Sequence, residues 1–97
     1  MKVRFLIPAR RELADAFRYY ESKQPGLGES FRDAAWDAVQ RIRRLPTACP
    51  TLGGAIRRCR LRRFPYAIIY AASDTEIIII AVAHLRRRPG YWRGRSD

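Results

Sequence analysis

The chain opens on alternation. Lys2 and Arg4 stand against Val3, Phe5 and Ile7, a period of two that predicts a strand over Lys2 to Ile7. From about Pro8 the period lengthens. Leu13, Phe17 and Tyr20 recur at helical spacing with Ala14 and Ala16 beside them, and Arg, Asp and Glu fill the rest. Pro25-Gly26 breaks this helix. A second begins near Leu27, with Leu27, Phe31, Ala34, Ala35, Ala38, Ile42 and Leu45 on one stripe and Trp36 off it, and it stops at Pro46. Two amphipathic helices joined by so short a loop fold back as an antiparallel hairpin.

Thr47 to Ala55, with Pro50, Gly53 and Gly54, reads as a loop. In Ile56 to Leu61 the side chains of Cys59 and Leu61 face one way and those of Arg58 and Arg60 the other, a strand with one wet, basic face. Arg62 to Pro65 connects it to an almost wholly apolar strand, Tyr66 to Ala72. Ser73-Asp74-Thr75 is a tight turn. Glu76 to His84 is the most apolar strand, expected at the centre of the sheet with the helices over it. The order β-α-α-β-β-β is an α+β fold, a helical hairpin on a small, mostly antiparallel sheet. Leu85 to Asp97 is an Arg-rich tail.

Length and composition narrow this picture. The chain's 97 residues suit one small domain over residues 1–97, with roughly 60–65% of the unfolded surface buried. The longest apolar run, Ile77 to Ala83, is strand-sized and falls far short of the ~20 residues of a membrane helix. The N-terminal apolar run, cut by Pro8 and Arg10-Arg11, is too short for a secretory signal. Cys49 and Cys59 form neither a disulfide framework nor a zinc site. The expectation is a reduced, cytoplasmic protein without metal or cofactor.

Charge changes the picture most. Of 20 Lys+Arg and 9 Asp+Glu, residues 1–40 hold 7 and 6, whereas residues 41–97 hold 13 and 3. All but two of the cations are Arg, whose permanent charge and planar fork suit phosphate and carboxylate. Such a half-molecule favours a polyanionic partner, nucleic acid or an acidic protein.

The chain carries no Gly-rich phosphate loop, metal-ligand spacing or nucleophile elbow. Six of its nine carboxylates lie on the two helices, interleaved with Arg, as on a solvated face. His84, the single histidine, ends the last strand just before Arg86-Arg87-Arg88. It is either a general acid/base beside phosphate-binding cations or a local hydrogen-bonding residue that orders the tail. The Arg58/Arg60 row and the Arg86–Arg88 run leave strands that would be neighbours and form one basic patch. Tyr91 and Trp92 follow it, either as stacking rings for a single-stranded nucleic acid or as packing for the tail. Tyr19, Tyr20, Tyr66 and Tyr70 read as core and interface residues.

Together these segments resemble a known family. Tyr19-Tyr20-Glu21, the loop Pro25-Gly26-Leu27-Gly28 followed by Phe31, Arg63 to Tyr66 with Ile68 to Tyr70, and Ala81 to Trp92 are similar to the ParE branch of the RelE/ParE toxins. These are the toxin halves of bacterial type II toxin–antitoxin pairs. The resemblance implies either a non-enzymatic inhibitor of DNA gyrase or, on the RelE side, a ribosome-dependent endoribonuclease that cuts mRNA. RelE-like enzymes place basic residues on the second strand, an Arg on the third, and an Arg and a Tyr or His near the C-terminus. Arg58 and Arg60 match the second-strand pair and Arg86 the C-terminal Arg, while Tyr91 or Trp92 falls near the aromatic position. Ala67 stands where the third-strand Arg would be, and Arg58 and Arg60 are poor proton acceptors. The reading is therefore a ParE-like gyrase inhibitor that contacts its target through Arg58, Arg60, Arg86, Arg87, Arg88, Tyr91 and Trp92. A cognate acidic antitoxin would neutralise it in a hetero-oligomer. The nuclease, with His84 as base, is the rival, and a non-toxic relative that only binds a partner is the third possibility.

Overall fold

A computed structural model describes residues 1–97. Its elements are β1 (Lys2–Phe5), α1 (Ile7–Lys23), α2 (Leu27–Arg44), β2 (Ile56–Arg60), β3 (Tyr66–Ala72) and β4 (Glu76–His84). The α+β order read from the sequence holds. The sheet runs β1-β4-β3-β2, with β1 parallel to β4 and the other two pairings antiparallel. No helix is long and apolar enough to cross a membrane.

The first strand is shorter than its pattern suggested. Ile7 completes the alternation, yet it is the first residue of α1 and half-exposed. Pro8 explains this, because its fixed φ and missing N–H suit the first helical turn. The helical hairpin turns through Gly26, whose φ of +88° is left-handed. Glu21 then caps α2: its carboxylate accepts the backbone N–H groups of Gly26 and Gly28, each at 3.0 Å. Gly28 is required by space. A Cβ there would stand 2.6 Å from the carbonyl oxygen of Phe17 and 2.9 Å from the Glu21 side chain.

α2 buries Phe31, Ala34, Ala35, Ala38 and Ile42 against the sheet, as the stripe predicted, together with Val39, which the stripe left out. Leu45 departs from it. It lies past the last helical residue and is largely exposed. Tyr20, Phe31, Phe64 and Tyr66 cluster between hairpin and sheet with ring centroids 4.9–6.2 Å apart. Tyr70 is fully buried and donates to the carbonyl of Pro46 at 2.6 Å. Tyr19, by contrast, is exposed.

The sheet buries both faces. Cys59, Ile68, Tyr70, Ile77, Ile79 and Val82 meet the helices, while Ile69, Ala81 and Ala83 meet Trp92 of the tail on the other side. A bulge between Ile69 and Tyr70 leaves Ile80 of β4 without a partner on β3. The two Arg-bearing segments do not leave adjacent strands as expected. β3 lies between β2 and β4, so Arg58 and Arg86–Arg88 are separated by one strand's width.

Candidate basic binding cleft

Three strands and one tail build the cleft. In β2 the alternation buries Cys59 under the helices and leaves Arg58 and Arg60 exposed on the helix-free face. In β3 and β4 the same face shows Ala67, Ile69 and Ala83, small enough at both alanines to leave a depression. After His84 the tail closes a series of turns: Arg87 N–H to His84 O at 3.0 Å, Tyr91 N–H to Arg88 O at 3.2 Å, and Arg93 N–H to Gly90 O at 3.0 Å. Gly90 takes φ +77°, which bends the chain back across the sheet. Trp92, only 5% exposed, then fills the space over Ile69, Ala81 and Ala83.

The result is a cleft of about 180 Å³ floored by Ala67, Ile69 and Ala83. Arg58 stands on one wall and Arg87, Arg88 and Arg93 on the other, with His84 at its end. No carboxylate lines it. Guanidinium groups brought together without acidic partners form a positive concavity suited to carboxylate or phosphate oxygens. Arg60 and Arg86 are exposed but lie outside the lining.

Two side chains singled out in the sequence are held from behind. The Arg87 guanidinium lies over the Tyr91 ring at 3.9 Å and that of Arg95 at 5.1 Å. The Tyr91 hydroxyl donates to Glu12 at 2.6 Å. Burial first, and then this hydrogen bond to a carboxylate, push the Tyr91 hydroxyl well above the usual phenol range. Trp92 and Tyr91 thus shape the cleft by packing the tail, and the indole is not free to stack on a ligand. His84 accepts the Arg86 backbone N–H at Nδ1, 3.0 Å away, and meets the Tyr66 ring edge-on. That bond places the proton of the neutral imidazole on Nε2.

Glu12 was not legible as anything but one of the solvated helix carboxylates. It is instead the anchor of the tail. Its side chain is 17% exposed and accepts the Val82 N–H at 3.0 Å, the Tyr91 hydroxyl, and both Nη atoms of Arg95 at 2.9 Å. Arg95 Nη1 also donates to Ile80 O at 2.9 Å. β1 ends opposite Ile79, so beyond that point β4 pairs only with β3, and Glu12 and Arg95 occupy backbone groups on its other edge. Burial pushes the Glu12 carboxyl up, but the hydrogen bonds and charge of Arg95, with Tyr91 and Val82, outweigh it and hold it below the usual range.

The family model for the ParE toxin of type II toxin–antitoxin systems, parDE, matches residues 3–89. The chain belongs to the ParE toxin family. Relatives of this ParE-type toxin include Toxin ParE2 of Mycobacterium tuberculosis, in strains CDC 1551 / Oshkosh and ATCC 25618 / H37Rv. Each is 34% identical over 79 residues, spanning 80% of this chain and 75% of the relative. Its fold is similar to a solved structure described as the chromosomal ParDE system from P. aeruginosa. The TM-score is 0.63 at 19% identity, over 87% of this chain and 95% of that one. The family match ends at residue 89, so Tyr91, Trp92 and Arg95 of this ParE-type toxin lie beyond it.

Proposed function

We propose that this ParE-type toxin inhibits DNA gyrase by binding, through the basic cleft, and that an acidic antitoxin neutralises it. The observation that carries the reading is the convergence of Arg58, Arg87, Arg88 and Arg93 on a floor made of Ala67 and Ala83. The cleft offers charge and shape for an acidic surface. It offers little for proton transfer. Arginine does not deprotonate at neutral pH, Tyr91 is engaged with Glu12, and His84 already spends its acceptor nitrogen on Arg86.

Family membership supports an antitoxin partner, and the surface supplies two features to bind one. The +10 of net charge on residues 41–97 attracts an acidic chain. Tyr19 and Trp36, both more than half exposed on the helical hairpin, offer apolar anchors on which a disordered segment folds.

The endoribonuclease reading keeps one observation in its favour, the position of His84 at the end of the cleft beside Arg87. A single experiment separates the two. The chain is induced alone in bacteria while labelled thymidine and labelled methionine incorporation are followed together. Gyrase inhibition makes DNA synthesis fail first, and purified protein then blocks supercoiling in vitro. Loss of protein synthesis first assigns the cleft to mRNA cutting, and His84→Ala abolishes it. No arrest of either kind overturns the toxin reading for this chain.

A further inference from the structure

Cys49 and Cys59 take no part in the cleft, and the register of the segment beside β2 brings them opposite each other. The outer edge of β2 is covered by the segment that precedes it. Arg58 N–H donates to Pro50 O at 3.0 Å, Leu52 N–H donates to Ile56 O at 2.8 Å, and Thr51 bridges Arg57 in antiparallel register. One step further along the same register, Cys49 comes opposite Cys59. Hydrogen-bonded and non-bonded pairs alternate in such a ladder. Leu52–Ile56 and Pro50–Arg58 hold the bonded positions, with one hydrogen bond each because Pro50 has no N–H and the Ile56 N–H donates to Gly53. Cys49–Cys59 therefore falls on a non-bonded position, where opposed Cα atoms approach to about 4.5 Å. A disulfide spans Cα separations of roughly 4.4–6.8 Å.

Three further observations agree. Cys59 is buried in the helix-side core and Cys49 packs against that same cluster, so both side chains lie on one side of the ladder. Arg57 Nη1 holds the carbonyls of Thr47 and Cys49 at 3.0 and 2.7 Å, which fixes the backbone around Cys49. Both cysteines are free thiols.

We propose that Cys49 and Cys59 are a reversible disulfide site, closed by thiol–disulfide exchange with a small-molecule disulfide of the glutathione type. Cys49, the more exposed, loses its proton and its thiolate attacks one sulfur of the small disulfide. That S–S bond breaks and one small thiol leaves, giving a mixed disulfide on Cys49. Cys59 then loses its proton and attacks Cys49 Sγ, and the second small thiol departs. Two protein thiols are oxidised and one small disulfide is reduced to two thiols, which take up the two protons. The second step is the slow one. Burial and the adjoining Cys49 thiol push Cys59 up to about 12, against the pull of Arg41, whose Nη1 lies 3.6 Å from the sulfur. Closure would pin the segment that carries Leu52, one wall of the cleft beside Arg58. The site stands whether or not gyrase is the target.

The test equilibrates the purified full chain with glutathione and its disulfide, then reads intact mass, thiol alkylation and peptide linkage. The wild-type chain loses the mass of two hydrogens, remains monomeric, yields a Cys49–Cys59 linked peptide, and recovers both thiols with dithiothreitol. Cys59→Ala stops at one glutathione adduct on Cys49, and Cys49→Ser stays unmodified because Cys59 is out of reach. A wild-type chain that keeps a glutathione adduct, links to a second chain, or remains unmodified overturns the proposal. If Cys59→Ala fails to fold by circular dichroism, the linked peptide from the wild type decides alone.

Discussion

Glu12 and Arg95 lie 83 residues apart and meet as a two-point pair, Nη1 to Oε1 and Nη2 to Oε2, each at 2.9 Å. The pair ties the first helix to the tail across the edge of β4 that β1 leaves unpaired. Everything that shapes the cleft wall from Arg87 to Arg93 lies between β4 and this clasp.

Removing one partner leaves the other charged and largely buried. Glu12→Ala is expected to cost about 3 kcal/mol, and Arg95→Ala a similar amount. The double variant should cost much less than the sum, because the interaction is lost only once. Urea unfolding of the four proteins measures this coupling.

The same carboxylate sets an acid limit. Glu12 titrates lower in the folded chain than in the unfolded one, so its contribution is complete above its ordinary value of 4.5 and is lost as pH falls below it. Melting temperatures measured from pH 7 down to pH 3 should fall more steeply for the wild type than for Glu12→Gln, and the two curves should converge at the acid end.

Gly28→Ala tests the hairpin. The added methyl has to displace backbone at Phe17 rather than a flexible side-chain end, with an expected loss of about 1–3 kcal/mol. Glu21→Ala removes only the cap and should cost about 1 kcal/mol. Denaturation midpoints rank the two.

Cleft residues divide by what they do. Arg58→Glu and Arg88→Glu should leave stability within ~0.5 kcal/mol; under the proposed function they should weaken gyrase inhibition by at least about tenfold, ~1.4 kcal/mol. Trp92→Ala should lose about 3 kcal/mol of stability, so its loss of activity would follow from a detached tail. Thermal melts run beside supercoiling assays separate the two classes.

Much of this fold was legible in the sequence because its signals are local. β3 and β4 are near-continuous apolar runs with Pro65 before one and Ser73-Asp74-Thr75 between them, and the structure begins and ends both strands at the expected residues. Ile7 misled because it continues an alternation that Pro8 overrules two atoms of backbone later. Strand order was not legible, and the cleft depends on it. Whether Arg58 shares a site with Arg86 or with Arg87 and Arg88 is decided by β3 lying between and by the turn at Gly90. Glu12 was hidden for the same reason. Its partners Val82, Tyr91 and Arg95 are 70 to 83 residues away, beyond any periodicity.

The parallel pairing of β1 with β4 has a consequence for synthesis. The first strand to leave the ribosome pairs with the last, so Lys2–Phe5 waits unpaired until Glu76–Ile79 has emerged. The hairpin meanwhile has no sheet to cover its apolar stripe. Assembly of the sheet, and of the cleft upon it, therefore waits until β4 has left the ribosome. The cleft, whose lining is drawn from β2, β3, β4 and the tail together, is therefore absent from any shorter nascent chain.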